Sequence, residues 1–298
     1  MQIKIKSRLL ISAKFIQYLP KFIKRFGMIP NTILNNGLTM PRLGLGVYEP
    51  QKPEEILQAI DWAFEIGYRL IDTAAAYHNE TEVGQAIKNS GLPRADIFLT
   101  TKVWTDDMGY DATLRAFESS LEKLQTNYVD LYLIHWPLRE KRRDTWRALE
   151  HLYEQGGAKA IGVCNYYQSH LEELETYANV LPAVNQFEFH PYCFLPNELA
   201  YCQQKNIQVQ GYSPVVRGQK NGDVRLVALA EKYQKSTYQM LIRWSLQQGA
   251  VTIPKSVTKA RLQENFEVFD FEISSEDMAQ MNTFFDDTRI ADNPMEWL

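Results

Sequence analysis

Four residues set far apart in the chain could carry acid–base chemistry together: Asp72, Tyr77, Lys102 and His135. Asp72 and Tyr77 lie in GYRLIDTAAAYHNETEVG, residues 67–84, where an apolar run around Tyr68, Leu70 and Ile71 passes straight into Asp72, Thr73, Tyr77 and His78. Lys102 ends the apolar run in FLTTKVW, residues 98–104, and His135 ends the one in VDLYLIHWP, residues 129–137. Singly, each has an ordinary structural use: an Asp after a strand caps a helix, a Lys there is solvated, a lone His packs. Jointly they form a proton-transfer set. Lys102, paired with Asp72, would favour tyrosinate and lower the pKa of Tyr77 from its reference of about 10. That phenol could protonate a carbonyl oxygen becoming an alkoxide, with His135 donating a second hydrogen bond to the same oxygen. The carbonyl carbon also needs a hydride, which no side chain supplies and a nicotinamide does.

For these residues to meet, several strands must end at one rim. From Leu43 onward a short apolar run is followed by a helical segment, eight times over. The runs are Leu43 to Val47, Leu70 to Thr73, Ile97 to Val103, Val129 to His135, Ala160 to Cys164, Ala183 to Phe189, Gln208 to Tyr212 and Val251 to Ile253. In the segment after the third, Leu114, Phe117, Leu121 and Leu124 recur at helical spacing. This alternation over about 250 residues predicts an α/β fold, a closed (β/α)8 TIM barrel whose strand ends converge. A doubly wound sheet is the rival. It would bind a dinucleotide through a glycine-rich turn after its first strand, but GLGVYEP lacks the third glycine and no helix follows at once. NTILNNGLTMPRLG, with Asn35-Asn36-Gly37 at its centre, predicts an N-terminal β-hairpin. An extra helix and tail are expected at the C-terminus.

The chain has 298 residues, a net charge of −4 and a pI near 5.8, which argues against nucleic acid as a partner. The charge is uneven. Residues 1–30 carry Lys4, Lys6, Arg8, Lys14, Lys21, Lys24 and Arg25 with no acid, and the remainder holds 25 basic against 36 acidic residues. We therefore divide the chain into a basic extension, 1–30, and a barrel, 31–298. The extension reads equally as a tail, a targeting peptide or a membrane-surface helix, so membrane contact is expected only through it. Cys164, Cys193 and Cys202 lack metal spacing and point to a reducing compartment. A cytoplasmic monomer is expected, with organelle targeting as the alternative. The five histidines show no paired spacing, so no metal is expected.

Together GYRLIDTAAAYHNETEVG, the Lys of TTKVW, LYLIHWP, VNQFEFHP, GYSP and IPKSVTKARLQENFEVFDFEIS resemble the aldo-keto reductases over about residues 30–290. The resemblance implies a barrel that binds extended NADPH without a Rossmann motif and reduces aldehydes and ketones. It makes Tyr77 the proton donor, with Asp72, Lys102 and His135 completing a tetrad. Cys164, Asn165 and Gln186 fall where the family holds the nicotinamide carboxamide, and Tyr212, followed by Ser213, where an aromatic stacks on the ring. Lys255, Ser256, Val257, Thr258, Arg261, Glu264 and Asn265 match the adenosine end, with Lys255 and Arg261 gripping the 2′-phosphate. Two cations and a hydroxyl near a helix start suit a phosphate monoester, which favours NADPH over NADH.

Tyr48, Trp104, His135 and Trp136 fall at the family's substrate pocket, and the aromatics suit an apolar or aromatic carbonyl compound. Arg139, Lys141, Arg142 and Arg143 either attract acidic substrates or form a solvated loop, and Trp297 could reach over the cleft. Cys164 departs from the serine usual in the family, and the loop after Tyr212, SPVVRGQKNGDVR, is short, which implies a more open cleft and faster cofactor release. Two rival activities remain on the sequence alone: a Schiff-base enzyme using Lys102, which pairing with Asp72 opposes, and a nucleotide-sensing subunit that hardly turns over.

Overall fold

The computed structural model describes residues 29–48 and 52–297, so the expected extension over residues 1–30 lies outside it except for Ile29 and Pro30. The suggested reach of Trp297 over the cleft also lies outside the described side chains. The chain opens with the predicted hairpin, β1 (Asn31–Ile33) antiparallel to β2 (Thr39–Pro41) with Thr32 opposite Met40. Its turn works because Gly37 adopts φ 85°, which costs glycine no Cβ clash, and Asn36 Oδ1 accepts from the Leu38 N–H at 3.1 Å. Asn35 and Asn36 donate to the carbonyls of Pro182 and Lys159, each at 2.9 Å, which ties the hairpin across the chain leading into two of the barrel strands.

Eight parallel strands follow: β3 (Leu45–Gly46), β4 (Leu70–Asp72), β5 (Phe98–Val103), β6 (Leu131–Ile134), β7 (Ile161–Cys164), β8 (Val184–Glu188), β9 (Gln208–Tyr212) and β10 (Val251–Thr252). Each pairs with its neighbour in chain order. Parallel bridges from Leu43 to Thr252 and from Gly46 to Lys255 bring the first strand against the last, forming the predicted (β/α)8 architecture. The seam requires glycine: a Cβ on Gly46 would stand 2.8 Å from the Ile253 carbonyl oxygen. All eight predicted runs become strands. β3 and β10 are the shortest at two residues each, against five and three expected.

Side chains alternate across each strand, so alternate positions serve different cores. Leu70, Phe98, Leu131, Leu133, Cys164, Val184, Val251 and Ile253 form one cluster together with Leu34 and Met40 of the hairpin region, the barrel interior with its plug. Ile71, Leu99, Tyr132, Ile134, Ile161 and Val163 belong to the second cluster, shared with the surrounding helices. This parity positions the site. Counting inward-facing residues along each strand leads from Leu70 to Asp72, from Phe98 through Thr100 to Lys102, from Leu133 to His135 and from Val184 to Gln186. The interior is apolar below and turns polar at the carboxyl ends of the strands, where barrel enzymes keep their chemistry.

Helices cross between the strands, and β9 is followed by two, Val224–Tyr233 and Thr237–Gln247. The expected extra helix is Ser275–Asn282, started by Ser274, whose Oγ accepts from the Asp277 N–H at 3.2 Å. No helix among the described residues is long and apolar enough to cross a membrane.

Candidate active site

Lys102 is wholly buried, and its ammonium reaches three oxygens: Asp72 Oδ1 at 2.5 Å, the Thr73 carbonyl at 2.9 Å and Tyr77 Oη at 3.4 Å. Asp72 uses its other oxygen to accept from Gln186 Nε2 at 2.7 Å, and the same amide nitrogen donates to Gln210 Oε1 at 2.9 Å. Tyr77 ends a 3-10 turn, Ala75–Tyr77, and its ring packs edge-on against His135 at 5.6 Å and Tyr48 at 4.9 Å between centroids. The structure thus brings the four sequence-predicted tetrad residues to one corner of the rim.

The loop that carries Tyr77 is fixed by residues the sequence reading passed over. Asn79 accepts from Thr73 Oγ1 at 2.6 Å and donates to the Val47 carbonyl at 2.8 Å, lashing the loop to the end of β3. Glu80, at the start of helix Glu80–Ser90, accepts from Thr101 Oγ1 at 2.6 Å. Both are buried; the Asn79 amide is bonded at both ends, whereas Glu80 bonds through Oε1 alone, its Oε2 facing Lys123 Nζ at 3.9 Å. The available signal was their place within HNETEVG, directly after the phenol.

Burial and charge oppose each other here. Burial lowers the Lys102 pKa, but Asp72 and Tyr77 outweigh it and hold the ammonium's pKa above its ordinary value. Burial pushes Tyr77 up to about 12, with the Lys102 charge pulling against it and Asp72 adding to the rise. The expected lowering of Tyr77 below 10 is therefore not found: desolvation, invisible in the sequence, exceeds the pull of the ammonium. Burial and then the Lys102 charge hold His135 well below the usual imidazole range, so the ring is neutral at neutral pH. Its Nδ1 is buried without a hydrogen-bond partner among the described residues. Burial likewise raises the Cys164 thiol, which stays protonated.

Next to this corner, Asn165 donates to the His135 carbonyl at 3.0 Å and accepts from Tyr212 Oη at 2.9 Å. Asn165 and Ser213 hold left-handed backbone, φ 62° and 49°, which costs non-glycine residues energy and persists where surroundings over-determine it. Of the predicted pocket aromatics, Trp104 packs edge-on against His135 at 5.1 Å, Tyr48 is 43% exposed beside Tyr77, and Trp136 is buried. Arg142 leaves the expected solvated loop: it is buried at the start of helix Arg142–Glu154, pairs with both Glu173 oxygens through Nε and Nη2, and donates from Nη1 to the Pro137 carbonyl at 3.1 Å.

The last predicted group lies beyond β10. Lys255 and Arg261 are exposed, and neither pairs with a carboxylate among the described residues; Arg261 lies over the Tyr238 ring at 5.8 Å. Ser256 is buried, with Oγ accepting from the Thr258 N–H at 3.3 Å, and Thr258 precedes helix Lys259–Phe266, whose first turn holds no acid. Val257 and Glu264 are partly exposed and Asn265 is buried. Uncommitted cations at an acid-free helix start form a donor set that a phosphate monoester fits. No three His, Cys, Asp or Glu side chains among the described residues gather as metal ligands.

Residues 42–285 match the Aldo/keto reductase family. Glyoxal reductase of Bacillus subtilis is 49% identical over 265 residues, 89% of this chain and 96% of that protein. The crystal structure of an aldo/keto reductase from Brucella melitensis is 43% identical with a TM-score of 0.83, covering 86% of this chain and all of that one. A Bombyx mori aldo-keto reductase solved in complex with NADP is 36% identical with a TM-score of 0.83, covering 89% and 95% of the two chains. On its motifs, its barrel and these matches, the chain belongs to the aldo/keto reductase family.

Proposed function

We propose that the protein reduces small aldehydes and ketones with NADPH, Tyr77 giving the proton. The observation that carries this reading is the contact of Tyr77 Oη with Lys102 Nζ at 3.4 Å, made by an ammonium already committed to Asp72. NADPH, when bound, supplies the hydride. The chain's own residues do the rest. With its pKa near 12, Tyr77 keeps its proton at neutral pH, and an alkoxide is basic enough to take it. The Lys102 charge then steadies the tyrosinate left behind. Neutral His135, protonated on Nε2, donates to the carbonyl oxygen and orients it, its Nδ1 having no hydrogen-bond partner among the described residues.

Gln186 and Asn165 meet the carboxamide, with Gln186 offering Oε1 because its nitrogen is taken by Asp72 and Gln210. Tyr212 would offer its ring to the nicotinamide, and Lys255 and Arg261 would hold the 2′-phosphate, with Ser256, Val257, Thr258, Glu264 and Asn265 beside the adenosine. Cys164 contributes a weak hydrogen-bonding thiol where a hydroxyl would bond more firmly. Tyr48, Trp104 and Trp136 form the substrate wall. The kinship with a glyoxal reductase puts small dicarbonyls beside aromatic aldehydes as candidate substrates. An NADPH-oxidation screen over methylglyoxal, aromatic aldehydes, aldoses, keto acids and quinones, with and without residues 1–30, tests the reading. Turnover of at least one class is expected; NADPH binding with no turnover of any would support the nucleotide-sensing alternative instead.

A further inference from the structure

The motif VNQFEFHP supplies Gln186 to the site, yet its two ionisable residues, Glu188 and His190, touch none of the tetrad. Both are buried. The Cys193 N–H donates to His190 Nδ1 at 3.1 Å, so the ring's proton sits on Nε2, which donates to Glu188 Oε1 at 2.8 Å. Glu188 then accepts two backbone N–H groups from a distant segment: Ile290 onto Oε1 at 2.7 Å and Ala291 onto Oε2 at 3.1 Å. A buried carboxylate is costly unless hydrogen-bonded, and two of the three donors that satisfy it belong to the C-terminal segment. Because they are backbone donors, the contact fixes the path of the chain and not a particular side chain.

The same segment is tied at three further points, one of them the Asp286 N–H donating to the Tyr192 carbonyl at 3.3 Å. Arg289 Nη1 donates to Tyr167 Oη at 2.9 Å, and Lys220 Nζ meets Asp286 Oδ2 at 2.5 Å. Tyr167 stands two residues beyond Asn165, Glu188 two residues beyond Gln186, and Lys220 on the loop that leaves Tyr212. Residues 286–291 are thus tied to the chain just past β7, β8 and β9, the strands carrying the three side chains assigned above to the nicotinamide end.

We propose that Glu188 and His190 are a positioning couple: they dock residues 286–291 across the ends of β7, β8 and β9, and this brace sets how tightly Asn165, Gln186 and Tyr212 retain the cofactor. The inference rests on the cofactor reading above. His190 orients Glu188, Glu188 holds the segment, and the segment restrains the loops that follow the cofactor-facing residues.

The test uses the full chain with Glu188→Ala, Ala291→Pro and the double variant. Ala291→Pro removes one tail donor and leaves the barrel untouched. Hydrogen exchange at the Ile290 amide, measured without cofactor, reads the docking, and NADPH fluorescence titration reads retention. Each single variant is expected to speed Ile290 exchange about tenfold or more and raise the NADPH Kd about fivefold. The double variant is expected to match the worse single one, since both break the same link; a general loss of packing would make the effects add and speed exchange throughout the barrel. Additive effects, or an NADPH Kd unchanged within about twofold while Ile290 exchanges freely, would overturn the proposal. If Glu188→Ala does not fold, Ala291→Pro decides alone on the same criteria. Failure of the unaltered chain to bind NADPH would overturn the cofactor reading, a result the exchange measurement keeps apart from failure of the docking.

Discussion

Lys102 and the pair Lys255 and Arg261 are cations placed on opposite principles. Lys102 is wholly buried at the end of β5 and spends its charge on Asp72, Thr73 and Tyr77. Lys255 and Arg261, beyond β10, are exposed and meet no carboxylate among the described residues. The first region is organised in advance, so little rearrangement is needed when charge develops on a carbonyl oxygen. In the function proposed above the second meets its anion only when the cofactor binds, so its contribution is expected in binding. The contrast implies that damage to the first region lowers kcat and damage to the second raises KM for the cofactor.

The harshest break of that contrast is Lys102→Met. It removes the charge that steadies tyrosinate and leaves Asp72 buried without its partner, so kcat is expected to fall about 10²–10⁴-fold while NADPH binding, read by fluorescence, changes little. Next come Lys255→Ala and Arg261→Ala, each losing a charge-assisted phosphate contact of about 1.5–3 kcal/mol. Steady-state kinetics should show KM for NADPH raised roughly ten- to a hundredfold with kcat near its original value, and KM for NADH unmoved, which erodes the cofactor preference.

The pH behaviour sharpens the same point with a smaller effect. His135 is held well below the ordinary imidazole value by burial and by Lys102, whereas the unfolded chain takes up that proton below about pH 6.5. The unfolded state then binds more protons than the folded one, so this residue's contribution costs stability as pH falls through that range. Thermal melts at pH 5 and 8 should therefore differ less for His135→Gln than for the unaltered protein. With Tyr77 raised to about 12, kcat/KM should show no loss from phenol ionisation until strongly alkaline pH. The gentlest change is Cys164→Ser, which exchanges a weak hydrogen-bonding group for a stronger one and should tighten NADPH binding about two- to threefold by titration.

Much of this was legible from residue pattern because the barrel repeats one rule. An apolar run that ends in Asp72, Lys102 or His135 states both the strand and the rim, and alternation states which side chains face inward. Desolvation was not legible: sequence shows that Lys102 neighbours Tyr77 in function but not how dry the phenol is, and the sign of its shift came out reversed. Arg142 was misjudged for a related reason, since its partner Glu173 lies on another helix and nothing local announces the pairing. Glu188 and His190 were visible within VNQFEFHP but carried no role, because the amides they serve lie about a hundred residues further on. Asn79 and Glu80 sat in the most informative stretch of the chain, and only burial separates them from solvated loop residues.

In the function proposed here, the Tyr77 phenol proton reaches the carbonyl oxygen from a site assembled before the ligand binds. Single-turnover NADPH oxidation by Tyr77→Phe, with an aldehyde that the unaltered protein reduces, tests it most directly. Cofactor binding within about twofold of the original Kd and a hydride-transfer rate lowered by about 10³-fold or more are expected. Oxidation at the original rate would contradict the assignment.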